Sequence, residues 1–210
     1  MVKVLIADDH TIVREGLKQI LAQSVDLSVT GEAANGGELL EKVRTGDWDV
    51  VLLDLNMPGR DGLDTLKQLK CERPKLPVLV LSMYPEEQYA VRILKAGASG
   101  YLNKRSAPEQ LIEAIRRVSS GGKYISAAMA EKLAFELETN FQDALHNSLS
   151  DREYQVLCLL ASGKTRREVA EELSLSVKSI STYRARILEK LRLKSNAELT
   201  HYAIQHGLVD

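Results

Sequence analysis

Residues 49–62 read DVVLLDLNMPGRDG, and the reading of this stretch decides the fold. Val50, Val51, Leu52 and Leu53 run without a polar break into Asp54, after which Pro58, Gly59 and Gly62 stop regular structure. Four apolar residues in succession predict a strand buried on both faces, as in a parallel sheet lying between helices. In such sheets ligands and chemistry gather just beyond the carboxyl ends of the strands, where Asp54 would stand. Aspartate also caps ordinary loops, so the surrounding chain has to discriminate between the two roles.

The same pattern recurs on either side. The run KVLIA at residues 3–7 ends on Asp8-Asp9-His10, and Val13, Leu17, Ile20 and Leu21 then follow at helical spacing within residues 11–23. Strands predicted over 27–33, 50–53, 78–81 and 100–102 alternate with helices over 36–45, 63–71, 85–96 and 108–119. Five βα units predict an α/β fold, a five-stranded doubly wound parallel sheet of flavodoxin-like order over residues 1–120. Gly121-Gly122 ends the last of these helices, and residues 121–146 read as a linker carrying one helix over 127–137. Residues 147–210 carry no strand pattern. Helical stretches at 150–162, 165–173, 176–191 and 195–206 predict an all-α, four-helix second domain.

Bulk properties fit two soluble cores: 210 residues, 44% hydrophobic and 27% charged. No apolar run approaches the roughly 18 residues of a membrane span, and MVKVLIADDH lacks a signal-peptide cleavage pattern. A cytoplasmic protein without a membrane partner is expected. Cys71 and Cys158 stand apart, with no CxxC and no histidine pair, so neither a zinc site nor a disulfide framework is indicated. The net charge of -1 conceals a division: residues 1–120 hold 16 Lys+Arg against 17 Asp+Glu, 121–144 hold 2 against 4, and 145–210 hold 10 against 8. Only the last segment is cationic, the sign needed to approach phosphates.

A sheet ordered 2-1-3-4-5 would set the ends of strands one and three side by side, bringing Asp8, Asp9 and Asp54 together. Gathered carboxylates repel unless a hard cation sits among them, and Mg2+ takes carboxylate oxygens, waters and phosphate. A carboxylate so placed could attack a phosphoryl donor and form an acyl phosphate, with Asp54 the best-placed nucleophile. Ser82 and Lys104 stand at the ends of strands four and five. A hydroxyl and an ammonium are the donors that new phosphate oxygens require. Taken singly, Lys104 reads as a solvated surface lysine, and its placement beside the other strand ends is what recommends it.

With these residues assembled, residues 1–120 resemble the receiver domain of two-component response regulators, the match resting on Asp8-Asp9, Asp54 followed by MPGRDG, Ser82, Tyr101 and Lys104. The resemblance implies that Asp54 takes a phosphoryl group from a histidine kinase. It also implies that Asp9, Asp54 and the main-chain carbonyl of Asn56 hold Mg2+, with Asp8 helping through water. Ser82 and Tyr101 would form the switch pair and Lys104 the phosphate-binding cation. Arg105 departs from the proline that follows this lysine in many receivers.

In the second domain Ser150 and Glu153 have the spacing of a capping box, and Ser176 precedes VKSISTYRARILEKL. Val177, Ile180, Ile187, Leu188 and Leu191 share one face of that helix. Two short helices, a tight turn and a mixed polar-basic helix suggest a helix-turn-helix, although a solvated charged face gives the same pattern. SDRE at 150–153, SGK at 162–164, EVA at 168–170 and the segment 179–191 resemble the LuxR-type helix-turn-helix. The two domains together are similar to the NarL/FixJ class, and the ending AELTHYAIQHGLV to regulators of the GacA/UvrY kind. That likeness implies a transcription regulator binding two-fold symmetric double-stranded DNA as a homodimer when phosphorylated. Ser181 and Thr182 would face bases, and Lys178, Ser179, Arg184 and Arg186 would lie near phosphates or the groove edge. Arg184 falls among the apolar residues on the helical wheel, and Tyr183 stands where much of the family has histidine. The helix over 195–206, with Leu199 and Ala203 on its apolar face, would make the dimer contact. Two other functions remain: a regulator independent of phosphorylation, and an aspartyl-phosphate phosphohydrolase. Asn56 disfavours the second, because such enzymes commonly carry an acid there.

Overall fold

The computed structural model describes residues 1–57, 62–83, 86–126, 130–131 and 145–209. The chain divides into two compact units, Met1–Phe135 and Glu136–Asp210. In the first unit, β1 (Val2–Ala7), β2 (Leu27–Ala33), β3 (Val50–Asp54), β4 (Val78–Ser82) and β5 (Gly100–Asn103) form one parallel sheet in the order β2-β1-β3-β4-β5. Between them run α1 (Thr11–Leu21), α2 (Gly36–Thr45), α3 (Gly62–Glu72) and α4 (Glu86–Lys95), and α5 (Pro108–Ser119) follows β5. The expected α/β fold and strand order are both present.

Every residue of β3 is buried, as its unbroken apolar run requires. Val4, Ile6, Val50, Leu52, Leu79 and Leu81 face one side of the sheet and pack with Leu17 and Leu21 of α1 and Leu111, Ala114, Ile115 and Val118 of α5. Leu5, Val51, Leu53 and Val80 alternate to the other side and are fully buried, as are Leu39, Val43, Leu66, Leu69 and Ile93 of α2, α3 and α4. Gly62 starts α3 where a side chain could not fit, since a Cβ there would lie 2.4 Å from the Leu55 carbonyl oxygen. That contact explains the glycine closing the MPGRDG segment, whose residues 58–61 lie outside the described residues.

The stretch after α5 behaves differently from a simple tether at its start. Tyr124 bonds along the outer edge of β5, on either side of Gly100, its N–H to the Ser99 carbonyl at 3.0 Å and its carbonyl to the Tyr101 N–H at 3.2 Å. Lys123 Nζ also donates to the Ala98 carbonyl at 2.6 Å. The edge strand is thereby covered. Most of the helix expected over 127–137 lies outside the described residues.

The second unit opens with a 3-10 turn, Leu145–Ser148, followed by α6 (Asp151–Ala161), α7 (Arg166–Glu172), α8 (Val177–Leu191) and α9 (Asn196–Gln205). Ser150 and Glu153 close the expected capping box at α6, and Thr165 and Glu168 close a second at α7. Val156, Leu157, Val169, Ile180, Ile187, Leu191, Leu199 and Ala203 form the interior. Cys71 is exposed and Cys158 buried, and neither forms a disulfide.

Candidate functional site

Parallel strands deliver their carboxyl ends to one rim, and there the first unit collects its charge. Asp8 follows β1, Asp54 ends β3, Ser82 ends β4 and Lys104 follows β5. Asp8, Asp54 and Ser82 are buried, although all three are polar. Lys104 Nζ lies 2.6 Å from Asp8 Oδ2 and 2.8 Å from Asp54 Oδ2, and its side chain is only 13% exposed. The lysine is thus part of the pocket, not the solvated side chain that its position alone would suggest. The Lys104 main-chain N–H donates to the Ser82 carbonyl at 2.8 Å, which ties the two strand ends together.

Two tight turns hold the acids in place. The His10 N–H donates to Asp8 Oδ1 at 2.8 Å, and the Asn56 N–H donates to Asp54 Oδ1 at 3.1 Å. Arg14, on the first turns of α1, donates through a guanidinium nitrogen to the Asp8 carbonyl at 2.7 Å and through Nε to Glu32 at 3.0 Å. Sequence reasoning passed over Arg14, since one arginine on a helix carries no sign that it will reach back to a strand end.

Burial pushes the Asp54 carboxyl above its ordinary range, with the Lys104 ammonium pulling against it. Burial works against the Lys104 charge too, yet Asp54 and Asp8 outweigh it and hold that pKa above its ordinary value. Two buried carboxylates face a single ammonium, so the lysine is the better compensated charge and the pocket keeps negative charge to spare. Among the described residues, Asp8, Asp9, His10 and Asp54 form a group that could hold a metal ion, with one ligand atom from each lying within 4.8 Å of the others. Asp9 Oδ1 is buried with the His10 ring Nδ1 3.0 Å away, and Asp8 and Asp54 share the Lys104 ammonium, so the cluster keeps negative charge that a cation would neutralise. The donor set therefore fits a divalent ion.

Tyr101 lies beside Val80 on the neighbouring strand, and its ring is buried. On α8, Lys178, Thr182 and Arg186 are exposed, whereas Ser179, Ser181 and Arg184 are partly buried. Arg184 Nε donates to Asn196 Oδ1 at 2.6 Å, which gives the helical-wheel ambiguity a direction, toward the start of α9. The Ser181 and Thr182 hydroxyls donate to the carbonyls of Val177 and Lys178, at 2.9 and 3.1 Å. Arg166, not singled out in the sequence, sits 3.4 Å from the Ser181 hydroxyl and adds a cation beside α8.

Leu199 and Ala203 require a correction. They are 1% and 0% exposed within their own unit, so they have no surface left to bury against a second copy. An amphipathic pattern marks the inward face of a helix without saying what lies inward, and here it is the unit's own core, where α9 packs on α6. The outward side of α9 carries Ala197, His201 and Ile204 instead, with Ile204 54% exposed.

The sheet, its charged rim and the helical second unit define a phosphoacceptor-type receiver joined to a helix-turn-helix. Residues 4–116 match the response regulator receiver domain, and residues 147–203 match the bacterial regulatory proteins of the luxR family. The chain belongs to the two-component response regulators and carries a LuxR-type DNA-binding domain. It is 37% identical over 209 residues to response regulator UvrY of Escherichia coli K12, covering 99% of this chain and 96% of that one. It is 38% identical over 211 residues to response regulator GacA of Pseudomonas aeruginosa PAO1, covering 100% and 99%. Among solved structures, RcsB of Salmonella typhimurium is similar at 29% identity and a TM-score of 0.62, over 97% of this chain and 100% of that one. A complex of RcsB with DNA is similar at 29% identity and a TM-score of 0.60, over 97% and 98%. No described helix is long and apolar enough to cross a membrane.

Proposed function

We propose that this regulator is switched by phosphoryl transfer to Asp54 from a histidine kinase and acts in the cytoplasm by binding two-fold symmetric DNA as a phosphorylated homodimer. In this reading residues 1–120 are the receiver, 121–146 the linker and 147–210 the DNA-binding domain. A carboxylate oxygen of Asp54 attacks the phosphorus of the kinase phosphohistidine. The P–N bond breaks, and its electron pair goes to the imidazole nitrogen, which takes up a proton. Mg2+, held by Asp9, Asp54 and the Asn56 main-chain carbonyl with Asp8 acting through water, supplies charge neutralisation at the phosphoryl oxygens. Lys104 then exchanges a carboxylate partner for a phosphate oxygen, Ser82 donates its hydroxyl to another, and Tyr101 follows Ser82 as the switch.

The observation that carries this reading is the Lys104 bridge between Asp8 and Asp54, an ammonium already stationed where an added phosphate would need it. For the output, Ser181 and Thr182 face bases, and Lys178, Ser179, Arg184 and Arg186 lie near phosphates or the groove edge. The outward residues Ala197, His201 and Ile204 of α9 take over the dimer contact. The chain turns over no substrate beyond its own acyl phosphate.

Incubation with a small phosphodonor and Mg2+, followed by mass measurement, tests the proposal. One added phosphoryl group on the wild type and none on Asp54→Ala is the expected result. An unchanged wild-type mass would favour a phosphorylation-independent regulator, and many turnovers of a phosphate monoester per chain would identify a phosphohydrolase. Genome-wide mapping of binding sites in wild-type and Asp54→Ala cells reads the DNA arm.

A further inference from the structure

Three cations gather at the start of α7, and acids of the same helix take two of them. Lys164 pairs with Glu172, and Arg167 Nε lies 3.5 Å from Glu171 Oε1. Arg166 differs. It is exposed, and among the described residues it makes no ion pair with a carboxylate. Its Nη1 instead lies 3.4 Å from the Ser181 hydroxyl, across the turn on α8. Ser181 is suited to hold it, because its own hydroxyl proton goes to the Val177 carbonyl at 2.9 Å and leaves the oxygen to accept.

We propose that Arg166, reaching from α7 to the outward face of α8, reads a guanine in each half-site of the DNA. The proposal rests on the reading that α8 lies in the major groove with Ser181 and Thr182 toward the bases. Lys178, Ser181, Thr182 and Ala185 stand three and four positions apart along α8 and share that face. Its centre is poor in donors, since Ser181 and Thr182 both give their hydroxyl protons to main-chain carbonyls and Ala185 has none to give. A guanidinium held there brings donors to spare, because Ser181 engages only one nitrogen of a planar fork. Two parallel N–H groups of that fork match guanine O6 and N7, the commonest base-specific contact in the major groove. A phosphate contact would need only charge at the groove edge, which Lys178 and Arg186 already offer. Anchorage on a base-facing hydroxyl carries Arg166 inward from that edge.

The test uses the full chain, treated with a small phosphodonor and Mg2+ and presented with a library of random-sequence DNA duplexes. Wild type should select a motif with one guanine per half-site that Arg166→Ala no longer selects, while the other positions keep their preferences. Thr182→Ala should relax a different position. Replacing that guanine by 7-deazaguanine removes the N7 acceptor, so wild-type affinity should fall about fivefold and Arg166→Ala affinity should stay as it was. This second readout compares two DNAs on one protein, so a folding defect in the variant does not imitate it. If Arg166→Ala keeps the whole motif and binds every sequence more weakly, with a shallower salt dependence, Arg166 is a phosphate contact and the inference falls. An unchanged motif at unchanged affinity overturns it too. In both cases a changed motif in Thr182→Ala leaves the α8 reading standing. If wild type selects no motif, that reading fails and the inference with it.

Discussion

Lys104 is the residue on which the receiver pocket balances. Removing one partner of a buried ion pair costs more than the pair is worth, because the remaining charges stay desolvated. Lys104→Met should therefore lower the unfolding free energy of the first unit by about 3 kcal/mol. Trp48, the chain's one tryptophan, bonds the Lys42 carbonyl within that unit and provides the fluorescence signal for urea titration. Added Mg2+ should shrink the deficit, since a cation in the pocket replaces the missing ammonium. The pH dependence has a definite sign. The Lys104 pKa is raised, so its contribution is fully present below the ordinary lysine range and is lost only as pH rises through the raised value. The gap between wild type and variant should therefore not close from the alkaline side until pH reaches the lysine range. On the acid side it should narrow, because without the ammonium burial raises Asp54 further and the carboxyl is neutralised more readily as pH falls. A gap that widened as pH fell would overturn this account of the pocket.

At the scale of elements, helix caps and turns are where small changes are readable. Burial works against the Glu153 charge, but Lys190 Nζ at 2.6 Å and the Ser150 N–H at 2.8 Å outweigh it and hold the carboxyl below its ordinary range. Glu153→Gln keeps an acceptor for the cap and loses the charged partner, a cost of about 1.5 kcal/mol. A depressed carboxyl stabilises above its ordinary pKa and loses that effect as pH falls through the lowered value. The deficit, read as amide-exchange protection in α6, should therefore be full at about pH 7 and fade below about pH 4. In the turn between α7 and α8, Ser174 adopts φ 52, a left-handed conformation that costs a side-chain-bearing residue about 1 kcal/mol or more. Ser174→Gly should raise stability by up to about 1 kcal/mol, part of the relief being offset by glycine's greater entropy when unfolded. DNA affinity should not change, since no proposed contact lies in that turn.

These elements also mark where the sequence could be read and where it could not. The β3 run, the 3.6-residue spacing of α1 and the Ser150–Glu153 box are local signals, and local physics sets each of them. Tyr124 joins the sheet edge through two main-chain bonds at one residue, which leaves no period to detect. Lys104 and Asp8 are 96 positions apart, and only the strand order turns their separate strand-end positions into one bridge. Leu199 and Ala203 were legible as buried, but the pattern could not say whether the burial was within the unit or between copies.

At the scale of the whole molecule, signal and output lie in separate units, and the coupling between them is a free energy that can be measured without knowing its path. If occupying the Asp54 pocket with a phosphoryl analogue raises DNA affinity by some factor, DNA must raise affinity for the analogue by the same factor. Couplings of this kind are typically about 5- to 150-fold, or about 1–3 kcal/mol. The prediction is measured on the full chain, with a site recovered by genomic mapping, as two titrations: DNA binding with and without the analogue, and analogue binding with and without DNA. Equal factors above one mean that both sites bias the same equilibrium, as phosphorylation-controlled dimerisation on DNA requires. Dimerisation adds a further demand, because the coupling must weaken once protein concentration is high enough to pair the chains without the analogue. A factor of one in both directions would mean that charge at Asp54 and contacts of α8 do not communicate, and the regulator would then act independently of phosphorylation. Equal factors that stayed constant across protein concentration would place the switch within a single chain, and the outward face of α9 would lose its proposed role.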